Sequence, residues 1–230
     1  MPTAQIYRHA FSLLRREARP IAARYALKQA IGELGPSGHP FERIVGELLT
    51  SEGFAVKVGE TVQGLCVTHE IDVVAQKDNR HIMVECKFHN QPGIKSDVKI
   101  SLYIQARFQD VAKAWQQNTA HREKFHEAWL VTNTKLTSDA IRYAECVGMK
   151  AIGWKYPPED SLEIRIDRAG IHPITCLTTL TSSQKRQLIE KDIVLCKELL
   201  SNKDILRPLG IQETKISAII NEAEQLCKKK

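Results

Sequence analysis

Three residues of this chain could together hydrolyse a phosphodiester. Asp72 lies in the run Glu70-Ile71-Asp72-Val73-Val74, and Glu85 and Lys87 lie in His81-Ile82-Met83-Val84-Glu85-Cys86-Lys87. Both runs read as strands, in which alternate residues share a face. In the second run Ile82, Val84, Cys86 and Phe88 are expected to face a core, with His81, Met83, Glu85 and Lys87 on the other side. Asp72 can then meet Glu85 across a hairpin or a splayed pair of strands. Two carboxylates so placed suit a hard divalent cation, with Lys87 beside an attacking water or a scissile phosphate. The same residues could instead form an exposed ion-pair cluster of little worth to stability. The Glu-x-Lys triplet alone does not decide, because Glu213-Thr214-Lys215 repeats it where the pattern is helical.

The elements that must hold these residues are legible around them. Phe41, Ile44, Val45, Leu48 and Leu49 form one apolar helical stripe that ends at Gly53. Residues 54–58 read as a strand, and residues 76–80 as the turn between the two motif strands. A helix is expected over 99–117, a buried strand over 127–132, a helix over 138–146 and a last strand over 149–154. This order implies an α/β fold with a mixed sheet flanked by helices.

The flanking segments have a different character. Residues 4–34 read as two helices broken at Arg19-Pro20, and Leu34-Gly35-Pro36-Ser37-Gly38 marks a boundary. Arg8, Arg15, Arg16, Arg19, Arg24 and Lys28 crowd this section, as a solvated helix face or a surface that touches DNA. Tyr156-Pro157-Pro158-Glu159-Asp160 is a linker signal, residues 161–166 are expected as a short strand, and the chain is helical from Leu177. The expected domains are 1–36, 37–158 and 172–230, with 159–171 as linker.

Composition sets the bounds. The chain has 230 residues, 43% of them hydrophobic and 26% charged, as in a soluble globular protein with one ordinary domain and a smaller one. Lys and Arg outnumber Asp and Glu by 33 to 27, and the resulting +6 fits a polyanionic partner. The six cysteines include no Cys-x-x-Cys pair, which argues against zinc and against a disulfide framework. No apolar run is long enough to span a membrane and no signal peptide is visible, so a cytoplasmic location is expected.

The arrangement resembles the PD-(D/E)xK nuclease superfamily, and within it the Mrr-like restriction endonucleases. The likeness runs from Gly38-His39-Pro40-Phe41-Glu42 through Gly53-Phe54, Glu70-Ile71-Asp72-Val73 and Val84-Glu85-Cys86-Lys87 to Trp129-Leu130-Val131-Thr132-Asn133. It implies an αβββαβ core and a Mg²⁺-dependent endonuclease, with Mn²⁺ able to substitute. Asp72 and Glu85 are then metal ligands together with the Cys86 carbonyl. Lys87 orients or deprotonates the water, and Glu42 reaches the metal directly or through water. Glu42 also reads as a first-turn carboxylate stabilised by the helix dipole. Glu70, two residues before Asp72, is an extra ligand, a partner of one, or a residue redirected by a bulge. His69 reads as a hydrogen-bonded histidine rather than a base. Lys95, Lys99 and Arg107 border the implied cleft as phosphate contacts, although Arg107 could equally pair with Asp110. Gln105 is a further candidate on the catalytic face. Double-stranded DNA is the implied partner, and double-strand cutting makes a homodimer plausible. Rival readings are a junction-selective nuclease, a non-catalytic DNA-binding protein and an RNA-processing nuclease.

Residues 4–34 also resemble the last helices of an ATP-cone, most clearly at Tyr25-Ala26-Leu27-Lys28-Gln29-Ala30. The half of that module that contacts nucleotide is missing, so ATP binding is not expected. The segment is then a shortened module or a remnant packed on the nuclease core. The C-terminal section resembles a helix-hairpin-helix module, with turns at Lys191-Asp192-Ile193-Val194 and Pro208-Leu209-Gly210-Ile211. Lys203 and Lys215 are its candidate phosphate contacts, and a helical dimerisation module is the alternative.

Overall fold

The computed structural model describes residues 3–17, 19–91, 93–117 and 125–228. The chain divides into two compact units, residues 1–40 with 166–230 and residues 41–165. The first opens with α1 (Thr3–Glu17), α2 (Arg19–Tyr25) and α3 (Leu27–Gly32), so the second expected helix is divided at Ala26. The side chains of Arg8, Arg15, Arg16 and Arg19 fall outside the described residues.

The unit spanning 41–165 is a mixed sheet between helices. Its elements are α4 (His39–Ser51), β1 (Ala55–Gln63), β2 (Thr68–Lys77), β3 (Arg80–Lys87), β4 (Lys95–Ser96), α5 (Val98–Gln117), β5 (Phe125–Thr132), β6 (Lys135–Leu136), α6 (Ser138–Cys146) and β7 (Lys150–Ile152). The main sheet runs β1-β2-β3-β5-β7, antiparallel through β3 and parallel beyond it, and β4 pairs with β6 in a small second sheet. This is the restriction-endonuclease-like αβββαβ core. Asp78 and Asn79, at φ 51° and 61°, close the β2–β3 hairpin in two residues. Both types tolerate the left-handed region that such a turn demands.

One face of β3 packs under α5 and α6, where Met83, Ile104, Leu130, Ala140 and Ala144 share a buried cluster. On the other face of the sheet, α4 approaches β1 so closely that a Cβ on Gly46 would stand 2.9 Å from Val58 Cγ2. Phe41 there meets Phe88 with ring centroids 5.7 Å apart. A central strand covered on both sides has no solvent face. The face shared by His81 and Met83, opposite Ile82 and Val84, is therefore buried as well. His81 is buried beside Trp115 and Phe125, at centroid distances of 5.7 and 5.9 Å.

Past this unit come α7 (Leu162–Ala169), α8 (Ser182–Glu190), α9 (Cys196–Ser201) and α10 (Glu213–Cys227), with 3-10 turns at Ile174–Cys176 and Lys203–Leu209. Residues 161–166, expected as a strand, instead begin α7, where Leu162 and Ile166 are buried at helical spacing. The expected linker 159–171 thus carries a helix. The N-terminal helices form one unit with the C-terminal ones. Arg24 of α2 pairs with Asp167 at 3.1 Å and donates to the Gln225 carbonyl at 3.3 Å. Buried Glu222 of α10 accepts from the backbone N–H and the hydroxyl of both Thr178 and Thr179, at 2.7–3.0 Å. The α8–α9 turn lacks glycine, and Asp192 adopts the left-handed conformation (φ 60°) in its stead.

Candidate active site

The β2–β3 ladder stops one pair short of the acidic residues. Val73 opposite Val84 is its last pair, so Asp72 and Glu85 lie just beyond it, where the strands splay. On the other side of β2, pairing with β1 is interrupted at Gly59 and Asp72 and resumes in the same register. Gly59 sits at φ 69°, a left-handed conformation that side chains oppose. Alternation fails across this break: Val74 and Ile71, three residues apart, pack into one cluster with Met83. Glu70 and Asp72 accordingly differ in setting, Glu70 exposed and Asp72 half-buried.

Asp72 Oδ2 accepts the Cys86 N–H at 2.6 Å, replacing a ladder bond with a carboxylate. Glu85, beside it on β3, forms an ion pair with Arg107 of α5, whose other terminal nitrogen donates to the Glu70 carbonyl. Arg107 and Glu85 are 10% and 16% exposed, so the pair is largely withdrawn from water. The Arg107 guanidinium also lies 5.3 Å from the Tyr103 ring centroid. Its alternative partner Asp110 is engaged elsewhere, with His69 Nε2 at 2.8 Å and the Cys66 N–H at 2.9 Å. His69 is thus a hydrogen-bonded histidine that fixes the β1–β2 turn.

Charge at this point is unevenly balanced. Burial, reinforced by the Asp72 charge, pushes the Glu85 carboxyl up to about 7 against the pull of Arg107 and Lys87. Burial also raises Asp72, opposed by the Cys86 N–H and Arg107. Burial and the carboxylates of Asp72, Glu42 and Glu85 hold the Cys86 thiol well above its usual range. Cys86 therefore remains a thiol rather than a thiolate.

Lys87 ends β3 with its side chain exposed, and Glu42 stands half-buried in the first turn of α4. Lys95 and Lys99 are exposed on β4 and the start of α5, and Gln105 is half-buried farther along α5. In the other unit Lys203 and Lys215 are exposed. Lys203 borders a groove that also carries Asp204, Glu213 and Glu224, an acidic setting for a phosphate contact.

Sequence reasoning overlooked the network that fixes the end of β3. Thr132 Oγ1 donates to the Lys87 carbonyl at 2.7 Å and lies 3.1 and 3.0 Å from the hydroxyls of Ser96 and Thr134. Asn133 accepts from the His89 N–H at 2.9 Å and donates to the His89 carbonyl at 2.7 Å. The signal was present as a polar Thr-Asn-Thr run directly after the apolar strand β5.

Among the described residues, no group of three or more His, Cys, Asp and Glu side chains forms a ready-made metal cage. The donors nevertheless fit magnesium, which takes one or two carboxylates and keeps several waters. Two half-buried carboxylates, one driven toward protonation by burial and then by the charge of the other, constitute a demand for positive charge that Arg107 answers here.

Residues 35–152 match a family model described as "Restriction endonuclease", the Mrr catalytic domain, and residues 172–227 match "AF1548-like, C-terminal". An uncharacterized protein of Archaeoglobus fulgidus is 37% identical over 183 residues, spanning 79% of this chain and 99% of that protein. The crystal structure of AF1548, a protein of unknown function, is similar with a TM-score of 0.66 and 35% identity. That likeness covers 83% of this chain and 98% of the other.

Proposed function

We propose that this chain, which belongs to the Mrr-type restriction endonuclease family, is a divalent-metal-dependent DNA endonuclease. The observation that carries the reading is the convergence of Asp72 and Glu85 where β2 and β3 part, with Lys87 on the same strand. Asp72, Glu85 and the Cys86 carbonyl hold Mg²⁺, or Mn²⁺ in its place. When bound, such an ion would supply polarisation of the scissile phosphate and a water of lowered pKa. Lys87 orients that water and stabilises the negative charge that grows on the phosphate oxygens in the transition state. Glu42 and Glu70 add negative charge at the margin of the site.

Arg107 neutralises Glu85 while no cation is bound, and from α5 it is placed to exchange that carboxylate for a phosphate. Lys95 and Lys99 contact backbone phosphates and contribute affinity rather than sequence preference. The substrate is double-stranded DNA, cut by a homodimer that brings two such sites together, and the setting is restriction in the cytoplasm. Among the described residues no helix is long and apolar enough to cross a membrane.

The test is digestion of plasmid DNA, from modifying and non-modifying hosts, in Mg²⁺, in Mn²⁺ and in EDTA. Nicked or linear product is expected with either metal and none in EDTA. Cleavage that persists in EDTA would exclude the proposed mechanism.

A further inference from the structure

We propose that the helical unit contains a binding site for a small phosphate-bearing molecule, independent of the nuclease site. It is a cavity of about 740 Å³ bounded by α3, the segment 175–182, α8 and α10. That volume lies within the roughly 300–1,000 Å³ typical of small-molecule sites.

Its lining is polar and cationic. Lys185 of α8 is half-buried, and its ammonium donates to the Thr175 carbonyl at 2.6 Å, which leaves two of its three donors for a ligand. Lys215 of α10 supplies a second positive charge, against Glu33 as the acid in the lining. Thr175 is 4% exposed and lines the cavity, yet among the described residues its hydroxyl has no hydrogen-bond partner. Hydroxyls left unpaired in protein interiors are rare, and one beside a desolvated ammonium is arranged for an acceptor that the chain itself does not supply. Burial lowers the proton affinity of Lys185, and an anion beside it would reverse that effect. Thr181 and Ser182 also line the cavity where α8 begins, and a helix N-terminus favours negative charge. The space exceeds what a bare phosphate fills, and Glu33 suits a hydroxyl on the remainder of the molecule.

Isothermal titration of the full chain with inorganic pyrophosphate, in EDTA and at constant ionic strength, tests the assignment. Saturable one-to-one binding is expected, weakened at least tenfold by Lys185→Met and by Thr175→Val and several-fold by Lys215→Ala. Lys203→Ala, outside the cavity, should leave it unchanged. Circular dichroism shows which variants fold, and Lys215→Ala, an exposed change, serves if the buried ones do not. Absence of saturable binding would overturn the proposal. So would equal weakening by Lys203→Ala, or displacement of pyrophosphate by a short DNA duplex, which would assign the cavity to the DNA backbone.

Discussion

Asp72 Oδ2 receives the backbone N–H of Cys86 at 2.6 Å, across the gap where the β2–β3 ladder has ended. One carboxylate thereby holds the splayed strands in place. Removing it has two separable effects. Asp72→Ala leaves the Cys86 N–H without its acceptor and should destabilise the fold by about 1–3 kcal/mol while abolishing cleavage. Asp72→Asn retains an acceptor oxygen and should unfold near the wild-type urea midpoint, yet still fail to cut DNA. An Asn variant that cuts normally would remove Asp72 from the metal site.

The Arg107–Glu85 pair predicts a coupling between stability and metal. Breaking a buried pair from one side costs roughly 3–5 kcal/mol, and less where, as here, some exposure remains. Arg107→Ala should therefore melt well below wild type without metal and regain more of its melting temperature than wild type on addition of Mn²⁺. Equal increments in both proteins would show that the arginine and the metal do not compete for the same charge.

Glu85 also sets a pH dependence. Its folded carboxyl titrates near 7, above the usual 4.5, so between these values the folded protein holds a proton that the unfolded chain has released. Stability of the metal-free protein should consequently fall as pH rises from about 4.5 to about 7 and level off above, by an amount on the order of a few kcal/mol at most. Urea midpoints between pH 5 and 8 measure this slope. Glu85→Gln should flatten it, and an unchanged slope in that variant would assign the titration to another group.

The Asp110 carboxylate fixes the β1–β2 turn through His69 and the Cys66 N–H, and those bonds hold it well below the usual carboxylate range. Asp110→Ala should lower the urea midpoint and reduce cleavage far less than Asp72→Ala does. A loss of activity as complete as that of Asp72→Ala would place Asp110 in the catalytic machinery.

Much of this was legible in the residues. Period-two alternation located β2 and β3, and helical stripes located α4, α5 and α6, because each element turns a regular apolar face to a core. What the pattern did not reveal was that both faces of β3 are buried. Strand pattern reports alternation, whereas burial of both faces depends on helices that arrive from distant parts of the chain. His81 is buried for that reason. The Glu85 partner of Arg107 was hidden for a similar reason: Asp110, the alternative partner, is nearest along α5, but Glu85 is nearest in space. Residues 161–166 alternate well enough to read as a strand, and the burial of Leu162 and Ile166 on one side makes them a helix. The association of the N-terminal helices with the C-terminal ones rests on long-range contacts such as Arg24 with Asp167, which no local pattern encodes.

Lys87 is expected to act on the phosphate held at Asp72 and Glu85. Single-turnover cleavage by Lys87→Ala, measured beside its DNA affinity and its Mn²⁺ affinity, tests this most directly. The expected result is a rate reduced by about 10²–10³-fold or more, with both affinities within a few-fold of wild type. A variant that cuts at the wild-type rate would contradict the account.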